Sequence, residues 1–292
     1  ILSNKSKEIW AYRAKWDDEC QWCIAGFPSL KWAKKVYPNL EDEEAKEALL
    51  ELILKVSRAF EGDPIENWKK HNDALVSHMN KLNSLNLRKL HYTSKKGTDL
   101  TVTLIPDVIF EAGGECTKTK KIPFQPNIPT EECFTSPDKF KTEGIVYATK
   151  PLSLRGEIVE DFYLRFHEGK IIEVHAKKGE QVLKDAIYTN ENGCYLGECA
   201  LVPIDSPINQ TNILFFSTLY DENASCHLAF GKAFPMLIKD YDMKTSEEIK
   251  AYPLNDSTTH VDFMIGDETS SSSATVTGLT PLSWGRFFTC PR

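Results

Sequence analysis

Residues 89–105 read KLHYTSKKGTDLTVTLI, and within this stretch the sequence pattern changes from helical to strand-like. Apolar and polar residues alternate over residues 89–93 and again over residues 99–105, as they do in half-buried strands. The four residues Ser94-Lys95-Lys96-Gly97 between the two runs are typical of a tight turn. The stretch therefore predicts a β-hairpin.

The chain before this hairpin has helical periodicity. Residues 42–60 place Ala45, Leu49, Ile53 and other apolar residues on one face, and Gly62 is expected to end this helix. Asp63 and Pro64 then suit the N-cap and first position of a second helix. Two helices joined by a short turn predict an antiparallel pair.

The chain after the hairpin reads mostly as strands. The expected strands are residues 145–148, 162–166, 170–174, 201–204, 213–216 and 274–277, with a helix over 179–186 and a polar serine turn at 270–273. Proline-rich residues 123–129 are expected to form an extended loop before Glu131 and Glu132. The fold class predicted is α+β: one domain over residues 1–292, mainly helical over 1–88 and a mixed β-sheet over 89–292.

Composition narrows the class of protein. The chain has 292 residues, 41% of them hydrophobic and 26% charged, which is ordinary for a globular domain. A net charge of −7 without a Lys/Arg stripe argues against a nucleic-acid partner. No run approaches the roughly 20 apolar residues of a membrane span, and no secretion signal is recognisable. Eight irregularly spaced cysteines favour reduced thiols, and together these features predict a cytoplasmic protein.

Two short segments carry the candidate metal ligands. Glu222 and His227 lie five residues apart, and His260 and Asp262 are separated by one residue. Asp221 or Asn223 could cap a helix over residues 224–229, in which case Glu222 and His227 converge only if Glu222 precedes that helix. For His227 alone, a histidine hydrogen-bonded in the core is an equally good interpretation.

His260 and Asp262 precede the apolar run of residues 263–266, which is typical of a buried strand. Alternation along a strand puts both polar side chains on one face. A bound cation would offset the cost of burying them, whereas a solvent-facing edge strand is the alternative.

Three further acids precede apolar runs or turns. Glu198 stands at the head of the apolar run over residues 199–203, and Glu131 and Glu132 are adjacent, so only one of the pair is expected to face a metal. Competing chemistries lack their motifs: the sequence has no HExxH, no Gly-x-Ser-x-Gly, no P-loop and no Gly-x-Gly-x-x-Gly. Six oxygen and nitrogen ligands suit two ions better than one, as in a two-metal hydrolase.

Several motifs together resemble the thermophilic-type metalloaminopeptidases, the group of aminopeptidase T and aminopeptidase S. The similar segments are WAKKVYP (residues 32–38), NIPTEECFTSP (127–137), LGECALVP (196–203), SPI (206–208), LYDENASCH (219–227) and HVDFMIG (260–266). They are spread over nearly the whole chain, and most are long enough to be specific.

The resemblance implies a dinuclear metal site and a function. The metal ligands it implies are Glu132, Glu198, Glu222, His227, His260 and Asp262, with Glu198 as the bridge. The ions it implies are two divalent metals, most often zinc or cobalt, with magnesium or manganese as alternatives. Glu131 would assist proton transfer. The implied enzyme is a cytoplasmic, dimeric aminopeptidase that hydrolyses the N-terminal bond of peptides with a water activated by both metals.

The chain departs from this family at two places. Family members are longer at the N-terminus, and this chain begins with Ile1, so it is expected to be the catalytic domain without the leading domain. The family also has a tyrosine, on the expected helix after His227, where this chain has Phe234. If that hydroxyl stabilises the oxyanion, its loss would cost on the order of 10²–10³ in rate.

Three hypotheses about function follow. The first is an active metalloaminopeptidase, and the second is a weak or silent metal-binding homologue with a scaffold role, suggested by Phe234 and the short N-terminus. The third is a soluble domain whose acids and histidines are purely structural. Metal content and peptidase activity distinguish the three.

Overall fold

The structure of the protein is a computed structural model that describes residues 19–267, 270–276 and 282–284. In chain order, the helices are α1 (Leu30–Val36), α2 (Asp42–Val56), α3 (Pro64–Ser84), α4 (Glu180–Tyr188), α5 (Pro207–Gln210), α6 (Thr218–Asp221) and α7 (Ser246–Lys250). Single 3₁₀ turns lie at Glu222–Ala224, Pro235–Leu237 and Tyr241–Met243.

The strands before the candidate ligand Glu198 are β1 (Ile24–Ala25), β2 (Leu87–Thr93), β3 (Asp99–Leu104), β4 (Glu111–Ala112), β5 (Glu115–Cys116), β6 (Pro123–Phe124), β7 (Asn127–Ile128), β8 (Cys133–Thr135), β9 (Pro137–Tyr147), β10 (Leu152–Leu154), β11 (Glu157–His167) and β12 (Lys170–Lys178). The remaining strands are β13 (Leu196–Leu201), β14 (His227–Gly231), β15 (His260–Met264), β16 (Ser271–Val276) and β17 (Leu282–Trp284). The two longest helices, α2 and α3, precede every strand except β1, and the described chain contains both helices and largely antiparallel sheets, which confirms the α+β class.

The chain forms two compact units. Unit 1 contains the described residues up to 74 together with residues 112–130. The buried residues of this unit include Ala45, Leu49 and Ile53 of α2, which were predicted to lie on one apolar face. The short strands β1 and β7 pair in parallel, and β5 pairs with β6 in antiparallel fashion.

Helix α2 ends at Val56, four residues before the predicted end. Arg58 adopts a left-handed backbone with φ of 57°, which a helix cannot continue through. The turn is held by the indole of Trp68, which donates to the carbonyl of Ser57, and by the Asn67 amide, which donates to the carbonyl of Arg58. The predicted start of the next helix at Pro64 is confirmed.

Unit 2 contains residues 75–111 and the described residues from 131 onward, and it carries two sheets. The larger sheet has the order β10-β11-β9-β3-β2-β16-β17, with β12 also paired to β11, and its neighbouring strands are antiparallel. The predicted hairpin over residues 89–105 is confirmed as β2 and β3, with Leu90 paired to Val102. Among the described residues, no helix has the length and apolar character needed to cross a bilayer.

The smaller sheet has the order β15-β14-β13-β8-β4. Every residue of β13 and β14 is buried, because these are inner strands covered on both faces. This sheet carries most of the candidate metal ligands, so its pairing register determines which of them can meet.

Three strand predictions were wrong or misplaced. Residues 213–216 form a loop, because the Asp221 carboxylate accepts the backbone N–H groups of Phe215 and Ser217 and curls the chain around itself. The strand expected over 201–204 instead ends at Leu201, two residues before Pro203, which has no N–H to donate. Of the serines expected in a turn, Ser271, Ser272 and Ser273 belong to β16, whose backbone pairs with β2. Thr277, the predicted end of that strand, lies outside the described residues.

Candidate metal site

The register of three strands places four candidate ligands on one face of the smaller sheet. Glu198 of β13 pairs with Ala229 of β14, and Ala229 pairs in turn with Asp262 of β15. His227 and His260 each lie two residues from a member of this row, so their side chains point to the same face. Because Ala229 is small, the row leaves space between the two carboxylates.

A β-bulge at Gly197 sets the direction of Glu198. The register of β13 against β14 shifts between Leu196 and Glu198. A Cβ atom at Gly197 would lie 2.2 Å from the carbonyl oxygen of Lys232, so only glycine fits there. Bulges of this kind re-aim side chains next to functional sites.

The side chains meet in two groups that share one residue. Glu132, Glu198 and His227 form the first group, and Glu198, His260 and Asp262 form the second; within each group the candidate ligand atoms lie within 4.8 Å of one another. His227 Nε2 is 3.0 Å from Glu132 Oε2, and His260 Nε2 is 3.0 Å from Glu198 Oε2. The arrangement therefore offers two adjacent ligand sets joined by Glu198.

Both imidazoles are oriented as metal ligands usually are. His227 Nδ1 lies 3.2 Å from the carbonyl oxygen of Ser225, and His260 Nδ1 lies 2.8 Å from that of Lys232. Since a carbonyl only accepts, each Nδ1 carries a proton and donates it. Each Nε2 then faces the carboxylates, and an N–H bond to a carbonyl that fixes the ring is typical of zinc-bound histidine.

A buried oxygen at the site has few polar partners. Among the described residues, Glu132 Oε2 makes no hydrogen bond of good geometry, and its close polar contact is the ion pair with His227 Nε2 at 3.0 Å. A buried carboxylate oxygen with so few partners is well suited to accept a cation. The donor set and this oxygen both fit a divalent metal.

Burial and the neighbouring carboxylates raise the pKa values of two glutamates at the site. Burial, reinforced by the charges of Glu132 and Asp262, raises the pKa of Glu198 to about 7 despite its bond to His260. Burial followed by the charges of Asp262 and Glu132 raises the pKa of Glu222. Such mutual repulsion is expected where carboxylates are gathered to bind cations.

The pKa values of the two histidines are also raised, but by the carboxylate charges and against the effect of burial. Burial alone lowers the pKa of His227, but its ion pair with Glu132 and the other carboxylate charges outweigh this and raise it to about 10. In the same way, Asp262 and Glu198 overcome burial and raise the pKa of His260 to about 11. Without cations, the cluster thus holds protons on both imidazoles.

Two other predicted residues lie beside the groups. The Glu222 carboxylate does not belong to either group, although it is close enough to be affected by the charges of Asp262 and Glu132. Glu131 is buried, and its backbone N–H donates to Asn223 Oδ1 at 2.7 Å. The structure therefore brings together five of the six predicted ligands and leaves Glu222 at their edge.

The helix predicted over residues 224–229 is wrong, because His227 begins the fully buried strand β14. The two residues predicted to cap this helix accept other hydrogen bonds. The Asp221 carboxylate accepts backbone N–H groups of a loop, and Asn223 Oδ1 accepts the backbone N–H of Glu131. Consequently Phe234 is not on a helix but precedes a 3₁₀ turn. Its ring centroid lies 5.1 Å from that of His260 and 5.5 Å from that of Phe134.

The sequence interpretation missed the residues that support the ligands. Ala229, the Lys232 carbonyl and Asn223 act through strand register and long-range hydrogen bonds, which leave no local pattern in the sequence. The glycine before Glu198 was a visible signal, since an isolated glycine in a strand often marks a bulge.

Known proteins resemble this chain over most of its length. A family model described as thermophilic metalloprotease (M29) matches residues 3–280. Aminopeptidase AmpS of Bacillus subtilis is 44% identical over 86% of the chain, and aminopeptidase T of Thermus thermophilus is 42% identical over 85%. The solved structure of wild-type AmpT from Thermus thermophilus covers 94% of the chain with a TM-score of 0.84 and 37% identity.

The chain spans only part of these relatives. The matched region is 61% of the length of the Bacillus subtilis protein and 60% of the Thermus thermophilus protein, and 66% of the solved chain.

Proposed function

Because the chain belongs to the thermophilic metalloprotease (M29) family, we propose that it is an aminopeptidase that hydrolyses the N-terminal bond of peptides with two divalent metal ions. The observation that carries this proposal is Glu198, which is shared by the two groups of ligand atoms. A carboxylate in that position can bridge two cations. The relatives that are similar to this chain over most of its length are named aminopeptidases, which supports the same activity.

Glu132 and His227 would hold one ion, and His260 and Asp262 the other, with Glu198 between them and Glu222 completing the set. Carboxylates and imidazoles suit zinc or cobalt, with magnesium or manganese as alternatives. When bound, two such ions supply Lewis acidity, which lowers the pKa of a water and polarises the scissile carbonyl.

The residues around the proposed metal ions have separate roles, some through their backbone and some through their side chains. Lys232 and Ser225 hold the two imidazoles through their carbonyls, so each Nε2 stays directed at the site. Glu131, buried beside Glu132, is proposed to accept the proton of the attacking water and pass it to the leaving amine. Four carboxylates and two divalent ions sum to zero charge, so a neutral α-amino group can approach without strong repulsion.

We also propose the substrates, the oligomeric state and the cellular location of the enzyme. Substrates are peptides with a free N-terminus, the protein forms a homodimer, and it works in the cytoplasm. Neither a nucleic acid nor a membrane is proposed as a partner, and the net charge of −7 supports the exclusion of nucleic acid.

The proposed activity is tested by incubating the metal-loaded protein with matched peptides that differ only in an acetylated N-terminus. We expect stepwise release of N-terminal residues from the free peptide and none from the blocked one. Mass spectrometry of the products measures both. Cleavage within the chain, or equal cleavage of the blocked peptide, would contradict an aminopeptidase.

Restoring a hydroxyl with Phe234→Tyr separates a weakened enzyme from a silent homologue. The ring lies beside His260, so a hydroxyl on it would stand next to this candidate ligand. We expect kcat to rise by up to about 10²-fold. The readout is kcat on a chromogenic aminoacyl substrate, with Phe140→Tyr, at an exposed aromatic of the same unit, as control. Absence of activity in both the original protein and the Phe234 variant would favour the scaffold role.

A further inference from the structure

Asn223 connects two segments that carry candidate ligands far apart in the sequence. Its side chain is fully buried, and it follows Glu222 directly in the 3₁₀ turn. Asn223 Oδ1 accepts the backbone N–H of Glu131 at 2.7 Å, across 92 residues of sequence. One amide thus joins the turn of Glu222 to the segment of Glu131 and Glu132.

The remaining polar groups of Asn223 are also used. Its Nδ2 donates to the carbonyl of Leu219 at 2.9 Å, and its own carbonyl accepts the hydroxyl of Ser206 at 2.6 Å. The partners fix the amide orientation, because an N–H must face an acceptor and a carbonyl must face a donor. The side chain is therefore locked with its oxygen toward Glu131.

The position of this bond matters because Glu131 and Glu132 precede β8, which begins only at Cys133. The ladder between β8 and β13 starts at Cys133, opposite Leu201, so it does not include the two glutamates. The hydrogen bond to Asn223 provides an anchor one residue before Glu132. It sets the distance from Glu132 to the turn that carries Glu222.

We infer that Asn223 is a positioning residue for the metal site: it holds Glu132 in register with Glu222 so that both carboxylates reach the cations. This inference rests on the proposed two-metal site. A purely structural Asn223 would affect only the stability of the turn. In the positioning role, its bond to Glu131 controls how tightly the ion at Glu132 and His227 is bound.

The test compares Asn223→Ala with Ser206→Ala. The second variant removes the hydrogen bond from Ser206 to the carbonyl of Asn223, together with the bond by which Ser206 caps α5 at Ile208, and it does not touch the bond between Asn223 and Glu131. Cobalt(II) alone is titrated into each metal-free protein, with a chelating indicator as competitor, and the cobalt absorption spectrum is recorded. Melting temperatures of the same samples report stability.

Changes in groups that support metal ligands typically cost 10–100-fold in metal affinity. We expect Asn223→Ala to weaken one of the two cobalt sites by about this factor and to alter its spectrum, while Ser206→Ala changes the affinity less than about threefold despite a similar loss of melting temperature. If the alanine variant does not fold, Asn223→Gln, which keeps the amide but lengthens it by a methylene, is expected to show the same loss.

Unchanged cobalt affinity and spectrum in the Asn223 variants, or an equal loss in Ser206→Ala, would overturn the inference. The proposed function fails separately: a protein that binds two cobalt ions with this dependence on Asn223 but hydrolyses no peptide would refute the aminopeptidase and leave the positioning role intact. A protein that binds no cobalt would refute both.

Discussion

Glu198→Ala is expected to reduce kcat/KM by a factor on the order of 10³ or more, the largest effect of any single substitution in this chain. Glu198 is the residue common to both ligand groups, so in the proposed two-metal site its loss would remove an oxygen ligand from each ion at once. It also removes the contact that holds His260 Nε2 at 3.0 Å. Substitution of Glu132, His227, His260 or Asp262 would affect one group directly.

Steady-state assays and metal analysis of the dialysed protein measure this effect together. We expect the variant to retain at most one tightly bound ion per chain. Glu157→Ala, which removes an exposed carboxylate at the start of β11, serves as the matched control and should leave both quantities unchanged. A Glu198 variant with two bound ions and near-normal activity would rule out a bridging role.

Removal of the metals by a chelator is expected to abolish activity and to lower the melting temperature by on the order of 10 °C. An ion present at about a thousand times its Kd stabilises the folded state by about 4 kcal/mol, because the unfolded chain lacks the assembled site. Without it, Glu132, Glu198 and Asp262 remain buried close to one another. Differential scanning calorimetry with and without chelator measures the shift.

Restoring zinc or cobalt to the stripped protein should recover both activity and melting temperature. The same treatment should have a smaller effect on the melting temperature of Glu198→Ala, since that variant is expected to retain at most one ion. A chelator effect of equal size in both proteins would place the stabilising metal elsewhere in the chain.

The elements predicted correctly are those with a strong local pattern. The hairpin of β2 and β3 alternates clearly, and α3 begins at Pro64, where Asp63 and the proline define its start. Residues 227–231 gave no such signal: β14 is buried on both faces, so its apolar run has neither the period of a strand nor that of a helix. Asn223 resembled a helix cap because its side chain can bond backbone N–H groups, but the N–H it binds is that of Glu131.

Part of the site could be predicted from the sequence in the same way. Alternation placed His260 and Asp262 on one face, as the structure has them. The shared position of Glu198 could not be derived from its neighbours, because it depends on the pairing of Glu198 with Ala229 and of Ala229 with Asp262 across three strands. That pairing is a property of the folded sheet, and only the family resemblance indicated it in advance.

Elemental analysis of the purified protein is the most direct test of a two-metal site organised around Glu198. Protein saturated with zinc or cobalt and then freed of excess metal by gel filtration is predicted to contain two ions per chain. A chain that retains no divalent ion, or that hydrolyses peptides fully in excess chelator, would contradict a metal site organised around Glu198.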